Sequence, residues 1–129
     1  MIPAVIVCHG ALGEAYLEAL AGIYGEVSDV AAVTNEGLGT EDLESAVAGS
    51  LDSLGGGGIV FTDYFGGSCA NACLALLPER PAVRLISGVN LPVLLYYLAH
   101  RNELGMDELV RGIVNRGHNS IRELSPPVL

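Results

Sequence analysis

The stretch VIVCHG at residues 5–10, together with IVFTD at residues 59–63, decides which fold this chain adopts. Both begin with an apolar run rich in β-branched residues, which predicts a buried strand of about five residues in a parallel sheet. Each run ends on a polar residue, His9 or Asp63, where the backbone must turn into a helix. Because ligands bind at the carboxyl edge of strands in open α/β sheets, we expect function to lie there.

Strand and helix patterns alternate along the rest of the chain. The predicted elements after the first strand are helix 13–23, strand 30–33, helix 40–54, strand 59–63, helix 68–77, strand 82–87, helix 91–100 and a last helix that begins at Asp107. We expect Ser68 to cap the helix at 68–77 and Asn90 to cap the helix at 91–100. In the last helix, the apolar spacing places Ile121 and Leu124 on the inner side. This order predicts an α/β fold, a doubly wound, mainly parallel four-stranded sheet with helices on both faces. The tail, residues 125–129, is a candidate for an extra edge strand. We expect residues 1–129 to form one domain.

The composition excludes several functional classes. Fifteen acidic residues against six arginines, with no lysine, give a formal charge of −9, which would repel nucleic acid. Without lysine there is neither a Walker A loop nor Schiff-base chemistry, and no GxGxxG follows the first strand, so we expect no bound cofactor. Because no apolar run reaches about 18 residues, we expect a cytoplasmic protein that does not insert into a membrane.

The site predicted at this edge consists of His9, Asp63 and the turn Gly66-Gly67-Ser68. If the two strands are neighbours, a carboxylate that accepts the Nδ1–H of the imidazole leaves Nε2 as an unprotonated nucleophile. The turn supplies backbone donors and one hydroxyl for the oxygens of a transferred phosphoryl group. Simpler roles stay open at this point: a structural histidine, a capping aspartate and a tight turn without a ligand. His100 and His118 lie late in helices, where a solvated or charge-favourable position explains them.

Three cysteines, Cys8, Cys69 and Cys73, support a second interpretation. Their odd number, in a chain without a secretion signal, argues against a disulfide framework, and small buried hydrophobic residues are the simplest explanation for them. The alternative is a metal- or thiol-based binding domain that uses Cys8, His9, Cys69 and Cys73, because thiolate and imidazole suit zinc. Since Cys8 and His9 are adjacent, both can ligate one ion only if the strand has already ended.

Three motifs in this chain resemble the signatures of the mannose-family IIA component of the bacterial phosphotransferase system. They are VCHG at residues 7–10, DYFGGS at 63–68 followed by Asn71, and SGVNLP at 87–92. The resemblance implies a cytoplasmic domain that is phosphorylated on a histidine by the carrier HPr and passes the phosphoryl group to a IIB component. It places the phosphohistidine at His9, the orienting carboxylate at Asp63 and the phosphate-binding turn at Gly66, Gly67 and Ser68, and it requires no metal.

The chain also departs from that family pattern. The family usually has Ser-Pro-Phe-Asn after the glycine pair, whereas this chain has Ser68-Cys69-Ala70-Asn71, without the aromatic residue and the rigid proline. The phosphocarrier subunit of dihydroxyacetone kinase shares the fold and the histidine but matches these motifs less well. Family resemblance and the apolar tail at residues 126–129 together predict a homodimer in which the tail packs on the other subunit.

Overall fold

A four-stranded sheet lies at the centre of the computed structural model, which describes residues 1–128. Its strands are β1 (Ala4–Cys8), β2 (Val30–Thr34), β3 (Gly58–Thr62) and β4 (Val83–Ser87). The helices are α1 (Leu12–Tyr24), α2 (Thr40–Ser53), α3 (Ser68–Leu74), α4 (Leu91–His100) and α5 (Met106–His118), with a short 3₁₀ turn at Leu77–Glu79. The element order confirms the predicted alternation of strands and helices.

The strand order is β2-β1-β3-β4, and every pairing is parallel. From β1 the chain moves outward to β2, then crosses back over β1 to form β3 on its other side. The direction of winding therefore changes between β1 and β3, which is the position where doubly wound sheets open a crevice for ligands. His9 and Asp63 directly follow these two strands, whose register pairs Val7 with Thr62.

Helices cover both faces of the sheet, which confirms the predicted doubly wound fold. The side chains of Ala4, Ile6 and Cys8 on β1 belong to the hydrophobic cluster that includes residues of α1, α4 and α5. Val5 and Val7 belong to the opposite cluster, which includes residues of α2 and α3. All residues of β1 and β3 are buried, which is why both strands are continuous apolar runs without polar alternation.

The last helix ends earlier than the sequence pattern indicates. α5 ends at His118. Just after the helix, the hydroxyl of Ser120 donates to the carbonyl oxygen of Gly117 in its last turn, at 2.9 Å. Ile121 and Leu124, expected on an inner helical face, are 90% and 87% exposed, so that prediction was wrong. Residues 121–128 form no strand, so the candidate edge strand is absent from the part of the chain that is described. Leu129, also in the predicted tail, lies outside the described residues.

Helix α3 is also shorter than expected, because it ends at Leu74 and a 3₁₀ turn follows. Pro78 explains the change, since a proline has no N–H to donate to the carbonyl four residues earlier, here that of Leu74, and its ring clashes with that carbonyl in an α-helix. The predicted cap of α4 is confirmed, because the Asn90 side chain accepts the Val93 N–H at 3.0 Å. Within residues 1–128, none of the helices has the length and apolar character needed to cross a membrane.

Gly58, at the start of β3, is the glycine on which the central strand pairing depends most directly. Its φ of +133° is unfavourable for any residue with a side chain. A Cβ at this position would also overlap the Pro3 carbonyl, which accepts the Ile59 N–H at 3.0 Å. β3 can therefore pair closely with the segment before β1 only because residue 58 has no side chain.

We predict that Gly58→Ala lowers the free energy of unfolding by at least about 2 kcal/mol, from backbone strain and this overlap. Gly49→Ala is the matched control, because Gly49 lies exposed within α2 and a Cβ there meets no atom within 4 Å. The control should stabilise the chain by roughly 0.5–1 kcal/mol. Denaturant unfolding measures both variants, and equal stability of Gly58→Ala and the wild type would contradict the prediction.

Candidate functional site

The His9 imidazole is held at the carboxyl edge of the sheet by the residue that follows the neighbouring strand. Asp63 Oδ2 accepts two hydrogen bonds from His9, one from its backbone N–H at 2.9 Å and one from ring Nδ1 at 2.7 Å. These residues are 54 positions apart in sequence, so their contact depends on the pairing of β1 with β3. The structure thus brings together the two residues that the sequence predicted as a pair.

The loop after His9 is fixed from the other side, by the end of β2. Asn35 Oδ1 accepts the Gly10 N–H at 3.1 Å, and the Thr34 hydroxyl donates to the Gly10 carbonyl oxygen at 2.8 Å. Both polar groups of the Gly10 backbone are therefore bonded. The imidazole emerges from a backbone that is anchored to both neighbouring strands.

The Asp63 carboxylate determines which nitrogen of the ring carries the proton. Partial burial raises the pKa of Asp63, but the hydrogen bonds from the His9 backbone and ring outweigh it, so the pKa lies below its usual value. Asp63 is therefore ionised at neutral pH and can only accept hydrogen bonds. In the neutral imidazole Nδ1 must then be the donor, which leaves a lone pair on Nε2.

Ser68 lies against that free nitrogen, with its Oγ 3.1 Å from His9 Nε2. Since Nε2 carries the lone pair, the hydroxyl donates. The prediction that Ser68 caps the next helix was wrong: Gly67 occupies the cap position of α3, and no side chain caps the helix. The hydroxyl faces the imidazole and not its own backbone.

Tyr64 and the glycine pair form the wall of the site beside the imidazole. The Tyr64 ring stacks on that of His9, with 5.3 Å between centroids and 30° between planes. The same ring covers buried Gly67, where a Cβ would come within 2.7 Å of it. Gly66 is exposed and has a φ of +87°. The first N–H groups of a helix have no intrahelical acceptor, so the backbone at the start of α3 has N–H groups able to donate.

The three cysteines are buried free thiols, in agreement with the simplest interpretation of them. Burial raises the pKa of Cys8 and of Cys73 to about 12, and burial followed by the charge of Asp63 raises the pKa of Cys69 to about 11. Only Cys69 reaches the imidazole, with Sγ 3.7 Å from His9 Nδ1.

The predicted metal set of Cys8, His9, Cys69 and Cys73 is not assembled within residues 1–128. Within those residues, the side chains whose potential metal-ligand atoms lie close together are His9, Asp63 and Cys69. Cys8 packs in the hydrophobic cluster on one face of the sheet, and Cys73 packs in the cluster on the other face. The two are separated because the side chain of Cys8 points from β1 to one face of the sheet, whereas Cys73 lies on α3, which packs on the other face.

Sequence reasoning missed three contributors to the site: Thr34, Asn35 and Tyr64. Asn35 belongs to the loop at 35–39 and Tyr64 to the DYFGGS motif, but neither pattern indicates a contact with His9 or Gly10. His100 and His118 lie elsewhere. The His100 ring packs 4.3 Å from that of Tyr96, and His118 is exposed near the end of α5.

The arrangement suits nucleophilic attack by His9 Nε2 on an electrophile that carries anionic oxygens. The His9 side chain is 34% exposed and that of Asp63 is 11% exposed, so the nucleophile is accessible while its orienting carboxylate is shielded. The Ser68 hydroxyl, 3.1 Å from Nε2, is a donor that can bind one of the oxygens.

Comparisons with known proteins show which family the chain resembles in sequence. Residues 4–114 match the family model EIIA-man, described as the phosphotransferase system (PTS) fructose IIA component. The sorbose-specific EIIA component of Klebsiella pneumoniae is 31% identical over 84% of this chain and 82% of its own length. The fructose-specific EIIA component of Bacillus subtilis is 29% identical over 97% of this chain and 88% of its own.

Solved structures give the same result. The chain superposes on a phosphotransferase system component EIIA from Streptococcus agalactiae with a TM-score of 0.88 and 27% identity, covering 95% of this chain and 97% of that one. For the mannose/sorbose-specific IIA subunit from Enterococcus faecalis the TM-score is 0.87 and the identity 26%, covering 100% and 99%.

Proposed function

This chain belongs to the EIIA-man family of sugar phosphotransferase system components, and on that basis we propose that it carries a phosphoryl group on His9. Membership gives it a phosphocarrier role in such a system. In this proposal, phospho-HPr donates the phosphoryl group to His9 Nε2 in the cytoplasm, and a IIB component then receives it from His9.

The observation that carries the proposal is the 2.7 Å contact between His9 Nδ1 and Asp63 Oδ2. It supports Nε2 as the nucleophile, because the ionised carboxylate holds the ring proton on Nδ1. When Nε2 attacks the phosphorus, the bond from phosphorus to the donor histidine breaks, and the acceptor ring becomes cationic. Asp63 stabilises that cation, as a carboxylate does for a catalytic imidazolium.

The turn at Gly66, Gly67 and Ser68 is proposed to bind the oxygens of the phosphoryl group. Ser68 Oγ lies 3.1 Å from Nε2, so a phosphoryl group on that nitrogen takes the place of the nitrogen as acceptor of the hydroxyl. Backbone N–H groups of Gly67 and Ser68 supply further donors. A side chain on Gly67 would displace the Tyr64 ring from its place beside the imidazole.

We also propose that the chain works as a homodimer. Strand β4 is at the edge of the sheet, and exposed edges invite pairing with another chain. Beside it a cavity of about 280 Å³ is lined by residues of β4, α4 and α5, among them Ile86 and Ile113, and at its rim by Ile121 of the chain's own tail. Ile121 and Leu124 project from the tail, both almost fully exposed. The apolar tail of a second copy suits the cavity and the open edge.

His9→Ala is expected to abolish phosphorylation, because it removes the nucleophile. Asp63→Asn should fold normally yet accept phosphate much more slowly, because an amide does not hold the imidazole in the same way. Incubation with radiolabelled phosphoenolpyruvate, enzyme I and HPr measures the uptake. The wild-type label should be lost in acid and kept in alkali, as expected for a phosphoramidate.

His100→Ala is the matched control for the histidine change, because His100 lies on α4 and outside the site. It should take up label as the wild type does. Equal labelling of His9→Ala and the wild type would refute the assignment, and so would a wild type that takes up no label.

Ser68→Ala should slow single-turnover transfer by about ten- to a hundredfold, corresponding to the loss of one charge-assisted hydrogen bond of roughly 1.5–3 kcal/mol. The fold should persist, because the hydroxyl does not cap α3. Ser53→Ala is the control, since the Ser53 hydroxyl bonds only to its own helix, at Gly49. An unchanged rate for Ser68→Ala would remove Ser68 from the phosphate site.

Light scattering should give twice the mass of one chain, and Ile121→Asp should shift the chain toward monomer by burying a charge in the proposed interface. Ile23→Asp is the control, because Ile23 is an exposed isoleucine on α1 that has no part in the cavity. A wild-type monomer at micromolar concentration, unchanged by deletion of residues 121–129, would contradict the dimer.

A further inference from the structure

Three ligand-type side chains converge at the site: His9, Asp63 and Cys69. A ring nitrogen, a carboxylate oxygen and the thiol sulfur all lie within 4.8 Å of one another. Imidazole, carboxylate and thiolate are the three ligand types that zinc takes in proteins. The proposed phosphoryl transfer uses His9 and Asp63 but leaves Cys69 without a role, at the position where the related motif has proline.

The spacing of these atoms is close to that of a metal site. With bonds of about 2.0–2.1 Å to nitrogen and 2.3 Å to sulfur, a tetrahedral zinc ion holds those two ligand atoms roughly 3.6 Å apart. His9 Nδ1 and Cys69 Sγ are 3.7 Å apart. Nδ1 and Asp63 Oδ2, now 2.7 Å apart, must separate by roughly 0.7 Å, to about 3.4 Å, to admit the ion. The partly exposed ring of His9 can make that movement.

We propose that His9 Nδ1, Asp63 and Cys69 bind one thiophilic divalent cation, of which Zn²⁺ is the probe, and that the bound cation prevents phosphorylation of His9. The proposed binding of the cation is argued from the geometry of the three ligands alone. The proposed inhibition also rests on the proposed function.

Inhibition follows from the proton balance. Zinc forms bonds to Nδ1, to a carboxylate oxygen and to the thiol sulfur, whose proton leaves to the buffer. The proton that Nδ1 carried moves through solvent to Nε2, so the ring stays neutral and one proton is released in total. Nε2 then donates to the Ser68 hydroxyl and has no lone pair for phosphorus. Two positive charges on zinc balance the two charges of carboxylate and thiolate.

The surroundings support the ligands as outer partners do in metal sites. Asp63 Oδ2 is already held by the His9 N–H at 2.9 Å, and its Oδ1 accepts the Tyr64 N–H at 3.1 Å. The Ser68 hydroxyl can accept as well as donate, so it can take the hydrogen bond from a protonated Nε2 when zinc is bound at Nδ1. A water molecule on the solvent side of the ring would complete four ligands.

Zinc binding is measured on the untagged chain by competition with a chromophoric chelator, and by the sulfur-to-metal charge-transfer band of the Co²⁺ form. We expect one zinc per chain, a cobalt–thiolate band and release of about one proton. Cys69→Ser should lose the band and weaken zinc binding at least tenfold, with Cys69→Ala as a second variant. Cys73→Ser is the matched control, because Cys73 is a buried thiol of the same helix that is absent from the cluster.

The second measurement is label uptake from phospho-HPr with and without zinc. Zinc should slow uptake at least tenfold in the wild type and in Cys73→Ser, but not in Cys69→Ser. The last variant also controls for effects of zinc on HPr. Equal zinc affinity of Cys69→Ser and Cys73→Ser would overturn the metal site, as would failure of the wild type to bind zinc.

The two proposals fail in distinguishable ways. A wild type that takes up label but does not bind zinc overturns this inference and leaves the proposed function standing. A wild type that binds zinc through Cys69 but takes up no label in its absence upholds the metal site and overturns the carrier. If the wild type binds zinc and still takes up label at an unchanged rate, the proposed inhibition is wrong.

Discussion

The hydrogen bonds between His9 and Asp63 depend on one constraint, the parallel pairing of β1 with β3 in a fixed register. Because Val7 lies opposite Thr62, the residues that follow the two strands emerge side by side at the sheet edge. A slip of one residue in either strand would exchange its side chains between the two buried faces of the sheet and disrupt the packing of both clusters. The same burial that stabilises the sheet therefore fixes the position of the imidazole.

The sequence alone was enough to predict the architecture, because the information is local. Continuous apolar runs identify β1 and β3 as central strands, and the polar residue that ends each run identifies the functional edge. Ile121 and Leu124 show where local periodicity fails, since their spacing continues a helix that stops at His118. The spacing of apolar residues does not tell whether their side chains pack within the chain or lie on its surface.

The contacts that surround the imidazole were harder to predict, because they depend on side-chain directions across separate loops. Ser68 stands at a helix start, where capping is the usual role of a serine, but its hydroxyl meets Nε2. Tyr64 lies in a recognisable motif, yet its stacking on His9 follows from the turn conformation. Cys69 is buried as its residue type suggests, but its sulfur comes to lie beside Nδ1 only through the folding of α3 against the sheet edge.

The hydroxyl of Ser68 faces Nε2, and the arginines of the described ion pairs bond elsewhere, Arg80 to Asp52 and Arg84 to Asp107. Hydrogen bonds to an anionic phosphoryl group at Nε2 would be charge-assisted through the oxygens of that group, with no cationic donor among these partners. If His9 carries a phosphoryl group as proposed, hydrogen bonds and not ion pairs would hold it, and much of the reactivity of its phosphorus–nitrogen bond would survive. Such a site favours a short residence and an easily reversed exchange over storage.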